Sequence, residues 1–121
     1  MPRKKKSDTA LLGDMLQAAE RITTFAAGKS YEDYAADLLL QSGIERQIEI
    51  IGEAARCVSE SYKTAHPEIP WHGIITQRHV LAHEYGNIQH SRIWLIITTH
   101  SPKLAQQLKS LIASSPDAQV K

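Results

Sequence analysis

The chain has one cysteine, Cys57, and one phenylalanine, Phe25. A lone cysteine excludes an internal disulfide and any zinc site built from several thiolates. Its neighbours Ala54, Ala55 and Val58 make it a small core residue by pattern rather than a reactive thiol. A dominant charge sign is also missing, since 14 Lys and Arg stand against 13 Asp and Glu for a net +1. The chain as a whole therefore lacks the electrostatic signature of a nucleic-acid binder, although a local patch would suffice for an enzyme that touches RNA at one site. No apolar run approaches the length of a membrane-spanning helix. The basic start, Met1 to Lys6, is followed by no apolar leader segment. The expectation is a cytoplasmic protein without membrane contact. The basic run reads as a solvated tail, with an RNA-contacting arm as the sharper alternative.

Strand signals are scarce as well. Ile93 to Thr99 has strand-like composition but no partner of similar character, and a single strand cannot bury itself. Helix signals fill the rest. Asp8 is placed to cap a first helix, whose apolar positions are Leu11, Leu12, Met15, Ala18, Ala19, Ile22 and Phe25. Gly28 follows where a left-handed cap is commonly needed. Ser30 and Asp33 form a loose capping box for a short helix through Tyr34 and Leu38. A long helix then carries Leu40, Ile44, Ile48, Ile51, Ala55, Val58 and Tyr62 as a seam, with Gly43 and Gly52 tolerated for close helix approach. Its Glu45, Glu49, Glu53 and Arg56 read as a solvated face. Pro67 and Pro70 end it, and Pro70 suits the first turn of the next helix. Gly86-Asn87 breaks that helix. Ser101-Pro102 predicts a kink or a fresh start, before a last amphipathic helix through Leu104, Leu108, Leu111 and Ile112. The fold class expected is all-α, an up-and-down antiparallel bundle of four to five helices. The expected domain spans residues 8–113, between a basic disordered tail (1–7) and a flexible C-terminal tail (114–121).

Polar chemistry is concentrated in Arg78-His79-Val80-Leu81-Ala82-His83-Glu84-Tyr85. Three readings compete. These groups could be ordinary helix-surface and helix-end residues, with His83 favourable near a C-terminus. His79 and His83, four apart, share a helical face as two zinc ligands would, with His72 further back and Glu84 as a carboxylate. The surrounding residues are not the HExxH of metalloproteases and no clear third ligand is present. The third reading is metal-free RNA cleavage by the RNA's own 2′-hydroxyl. Histidine suits the proton transfer and arginine the grip on a phosphate. Arg78 and His83 are five apart, about 140° around an ideal helix. They meet only if the helix ends or distorts near His83, or if a symmetric dimer brings two such helix ends together.

One wider pattern bears on the choice. Ile69-Pro70-Trp71, Ile74-Ile75, Arg78, Leu81, His83-Glu84-Tyr85 and Ile93-Trp94 closely resemble the HepT-like branch of the HEPN superfamily. So do Ile50 to Ala55 on the long helix and the later Pro102 with Leu104. The resemblance covers roughly residues 8–112. It implies an all-helical, metal-independent ribonuclease acting as a homodimer, with Arg-x4-His motifs meeting in a cleft. It also implies pairing with a minimal nucleotidyltransferase antitoxin, MntA, which uses ATP to transfer AMP onto the tyrosine of His-x-Tyr. Carried to this sequence, Arg78 holds and polarises the phosphate, His83 is the general acid/base and Tyr85 is AMPylated. No cofactor is implied. The family commonly has a small polar residue, often asparagine, directly after the arginine, and here it is His79. Its role as a substitute hydrogen-bonding group, a second proton-transfer group or a mark of altered activity stays open. Glu84 is first a solvated or interface charge and second an auxiliary group. A different class of function also stands: a non-catalytic helical module that binds a nucleotidyltransferase partner. His66, His90 and His100 are expected on the surface without partners.

Overall fold

The computed structural model describes residues 6–83 and 90–114, and across 78–83 it describes the helical backbone. Helix α1 (Asp8–Ala26) is capped by Ser7, whose hydroxyl accepts the Ala10 N–H at 3.1 Å. Asp8, the expected cap, is instead the first helical residue. Its carboxylate accepts the Ser59 N–H at 2.9 Å and the Ser59 hydroxyl at 2.6 Å. Leu11, Leu12, Met15, Ala18, Ala19 and Ile22 are buried, as their spacing predicts, whereas Phe25 stays partly exposed. Gly28 leaves the helix at φ 75°, a conformation that side chains other than glycine's resist.

Helix α2 (Tyr31–Ala35) opens with the expected capping box, Ser30 and Asp33 exchanging bonds of 3.0 and 3.1 Å. It stops short of Leu38 because Asp37 caps a new helix, α3 (Leu38–Cys57). The Gln41 side chain donates to the carbonyls of Tyr34 and Ala35 at the end of α2.

The long helix expected through Tyr62 is two helices. Val58 turns extended, and Ser59 caps α4 (Glu60–Ala65). The seam spacing survives the break, since Val58 is still buried and Tyr62 packs on the core. The break itself is fixed by Ser59 bonding Asp8, 51 residues away in sequence, which no local pattern encodes. Cys57 ends α3 exposed, correcting its expected place in the core. Gly43 meets the ring of Phe25, which lies 3.5 Å from where a Cβ would stand.

Helix α5 (Trp71–His83) follows the proline-bounded connector, and after residues 84–89 come α6 (His90–Leu95) and α7 (Ser101–Ala113). The strand-like stretch Ile93 to Thr99 is helical, with Ile93 and Ile97, four apart, facing the core. Ile96–His100 forms a π-helical turn that joins α6 and α7 into one rod. Pro102 has no N–H to give, and the wider turn takes up the strain, the Ser101 N–H reaching the Ile96 carbonyl. Ser101 is therefore not a cap; it is buried, and its hydroxyl donates to the Ala19 carbonyl at 3.4 Å.

Four rods, α1, α3, α5 and the α6–α7 rod, make an antiparallel bundle, with α2 and α4 as short connecting helices. Helix α1 packs against α3 and α7, and α3 packs against α5. One buried cluster holds Leu12, Met15, Ile22, Tyr34, Ile44, Ile69, Ile93 and Leu108. Among the described residues there is no strand, and no helix is long and apolar enough to cross a membrane.

Candidate active site

The start of α5 is set by the segment before it. Ile69 is fully buried, and the Trp71 indole N–H donates to the His66 carbonyl at 2.9 Å. The Tyr62 ring meets Trp71 edge-on at 6.3 Å and lies over the His66 ring at 4.3 Å. His66 also lies 3.3 Å from the Glu68 carboxylate, so it has partners that its sequence position does not reveal. The Pro70 carbonyl accepts the Ile74 N–H, so proline stands just before the helix rather than in its expected place in the first turn.

From this anchor α5 runs antiparallel along α3. Ile74 and Gln77 line one groove with Ile51 and Ile48.

The α-helix runs through His83. The described helix ends at His83 and is regular from Arg78 to His83, and the expected break at Gly86-Asn87 lies outside the described residues. Positions 78 and 83 stand about 7.5 Å apart along the axis and about 140° around it. Positions 79 and 83 are about 40° apart and share a face. Glu84 and Tyr85 lie outside the described residues. His72 is exposed, its Nε2 3.5 Å from the Thr76 hydroxyl. Among the described residues no three His, Cys, Asp or Glu side chains converge as metal ligands would.

Where α2 and α3 meet α6 lies a group that no sequence motif singles out. The Tyr34 ring is fully buried, and its hydroxyl has no hydrogen-bond partner among the described residues. Burial, then the charge of Glu45, pushes its phenol well above the usual range. Trp94 lies 5.9 Å from that ring, and His90 meets it edge-on at 5.6 Å. Glu45, read from sequence as solvated, is half-buried here. Burial and the neighbouring Glu49 raise its carboxyl pKa, and His90 partly offsets them. His90 is thus a packed residue rather than a lone surface one. No local signal marks this group, because it forms only where α2 and α3 meet α6.

The comparison with known proteins agrees with this architecture. The family model described as "Ribonuclease HepT-like" matches residues 15–111. A protein of Thermococcus cleftensis named "Probable ribonuclease HepT" is 32% identical over 107 residues, covering 88% of this chain and 97% of that protein. A protein of Caldanaerobacter subterraneus subsp. tengcongensis, provisionally named an RNase, is 32% identical over 107 residues, covering 88% of this chain and 96% of its own length. One from Methanocaldococcus jannaschii, also provisionally named an RNase, is 27% identical over 105 residues, covering 87% and 96%. No solved structure gives a significant match. With its all-helical bundle and the family model spanning most of its length, the chain belongs to the ribonuclease HepT-like family of the HEPN superfamily.

Proposed function

We propose that this protein is a metal-independent endoribonuclease toxin of the HepT/MntA type, with Arg78 and His83 as its catalytic residues. Membership of a ribonuclease family is the observation that carries the reading, and Arg78-x4-His83-x-Tyr85 on and just beyond α5 supplies the chemistry. His83 takes the proton of a ribose 2′-hydroxyl, whose oxygen attacks the adjacent phosphorus. The 5′-oxygen leaves and takes up a proton, giving a cyclic 2′,3′-phosphate and a 5′-hydroxyl end. The Arg78 guanidinium binds the phosphate oxygens as charge builds on them.

The helical arrangement supports a homodimer for this chemistry. Positions about 140° apart on one regular helix do not converge by themselves. Two helix ends related by a two-fold axis supply both groups to one cleft. His79, on the same face as His83, is an auxiliary proton-transfer or hydrogen-bonding group there, and Glu84 an interface charge.

The same cleft is the point of control. A nucleotidyltransferase antitoxin transfers AMP from ATP to the Tyr85 hydroxyl, adding negative charge and bulk where the RNA phosphate must sit. The setting is cytoplasmic. The test is cleavage of RNA by the purified protein in the presence of a chelator, with mapping of the ends. Cyclic phosphate ends that vanish in Arg78→Ala and His83→Ala support the reading. An inactive parent protein supports the non-catalytic partner instead.

A further inference from the structure

Three sides of the bundle are closed by direct packing, α7 on α1, α1 on α3 and α3 on α5. The fourth, between α5 and the α6–α7 rod, opens as a groove of about 500 Å³. The rod faces it with one stripe, Arg92, Ile96, His100, Lys103 and Gln107, at helical spacings of four, four, three and four. The floor is apolar, with Ile48, Ile51, Ile74 and Leu104 beneath a half-exposed Leu95. One end is bridged where the Gln107 amide donates to the Glu68 carbonyl at 3.0 Å.

The charges on this groove are unbalanced. Arg92, His100 and Lys103 are exposed and in no ion pair among the described residues. Among the described residues the groove has one carboxylate, Glu68, which lies against His66 at 3.3 Å. The wider depression between α1 and α3 differs, because its bases are matched by acids, as in Lys6–Asp14 at 2.7 Å and Arg56–Glu53 at 2.6 Å. The open side of the bundle is therefore cationic at its rim and apolar at its floor. Single-stranded RNA has the complementary character: anionic backbone and base faces that leave water readily. A second copy of the chain fits worse, since a two-fold contact centred here would set the stripe carrying Arg92 and Lys103 against the same cationic stripe of the other copy.

The groove and the proposed active site share helix α5. Its α5 wall is Gly73, Ile74 and Gln77, and Arg78 is the next residue of that helix. We infer that the groove between α5 and the α6–α7 rod is an RNA-backbone subsite, with Arg92 and Lys103 binding phosphates flanking the one to be cut. The inference rests on the ribonuclease reading for its substrate, but its test measures binding, not cleavage.

Gly73 provides a way to block the groove without disturbing the core. A Cβ built there meets nothing within 4 Å. It is the third residue of α5, where glutamate suits both helix propensity and the helix dipole. Gly73→Glu therefore folds and places an anion in the groove. The probe is a fluorescein-labelled single-stranded RNA with every 2′-hydroxyl methylated, read by anisotropy across a salt series. Circular dichroism checks folding and light scattering checks mass.

Gly73→Glu and the double variant Arg92→Gln/Lys103→Gln are each expected to weaken binding tenfold or more, while Gly73→Ala binds as the parent does. The double variant's plot of log affinity against log salt is expected to be shallower by about 1.4, because two phosphates of the single strand then keep their counterions. Unchanged affinity and slope in both variants, or a parent that does not bind the probe, would overturn the inference. So would a Gly73→Glu variant that loses oligomeric mass while still binding RNA, which would make the groove a protein contact. Intact cleavage by groove variants with parental affinity would remove the subsite and leave the ribonuclease reading standing. Groove-dependent binding by a parent that cleaves nothing would do the reverse.

Discussion

The indole N–H of Trp71 donates to the carbonyl of His66 at 2.9 Å, closing the turn that launches α5. Everything proposed for Arg78 and His83 depends on the direction of that helix, and the turn fixes its origin. Trp71→Phe keeps most of the buried ring but removes the donor. It is expected to cost about 1 kcal/mol of stability for the lost hydrogen bond, the His66 carbonyl keeping the Ile69 N–H at 3.3 Å. Denaturant titration measures this, and RNA cleavage is expected to fall as the helix loses its anchor. A variant with unchanged midpoint and activity would show that the turn does not position α5.

Tyr34 carries the opposite expectation. Its hydroxyl is buried without a hydrogen-bond partner among the described residues, and such a group is destabilising by about 1–3 kcal/mol. Tyr34→Phe is expected to raise the thermal midpoint. A drop would mean that the hydroxyl has a partner in the folded protein.

Glu45 gives a pH signature. Its folded-state pKa is raised above the ordinary 4.5, with burial as the first cause and Glu49 as the second. The folded state then binds the proton more tightly than the unfolded chain, so stability falls as pH rises from about the ordinary value through the raised one. Glu45→Gln removes the ionisation. It is expected to be more stable than the parent at pH 7, with the difference closing below the unfolded-state pKa. Denaturant titrations at pH 7 and pH 3.5 test this, and an equal difference at both would contradict it.

Much of the bundle is legible in the residues themselves. The spacing of Leu11, Leu12, Met15, Ala18, Ala19 and Ile22 places the buried face of α1, and Ser30 with Asp33 marks the start of α2. What is not legible depends on contacts far apart in sequence. The break after Cys57 requires Asp8 to reach Ser59, and the apolar seam continues across it without interruption. Ile93 to Thr99 is rich in β-branched residues, yet Ile93 and Ile97 find a core only on a helix, so packing overrides propensity. The candidate site divides the same way. Arg78, His83 and Tyr85 stand out by type and by family resemblance. Tyr34, Glu45 and His90 do not, because α2, α3 and α6 must first meet.

The control proposed at Tyr85 is open to a direct mass measurement. Incubation with the antitoxin and ATP is expected to raise the intact mass by whole AMP units and to stop RNA cleavage. Tyr85→Phe is expected to gain no mass and to escape silencing. The same mass gain in Tyr85→Phe would place the modification elsewhere.

The most direct measurement of the central claim is cleavage of a defined RNA by the purified protein in chelator, comparing the parent with Arg78→Ala and His83→Ala. The account predicts 2′,3′-cyclic phosphate ends from the parent and a loss of at least about 100-fold in rate for each variant, the scale expected of a proton-transfer or charge-stabilising group. Cleavage by either variant at the parental rate would contradict it.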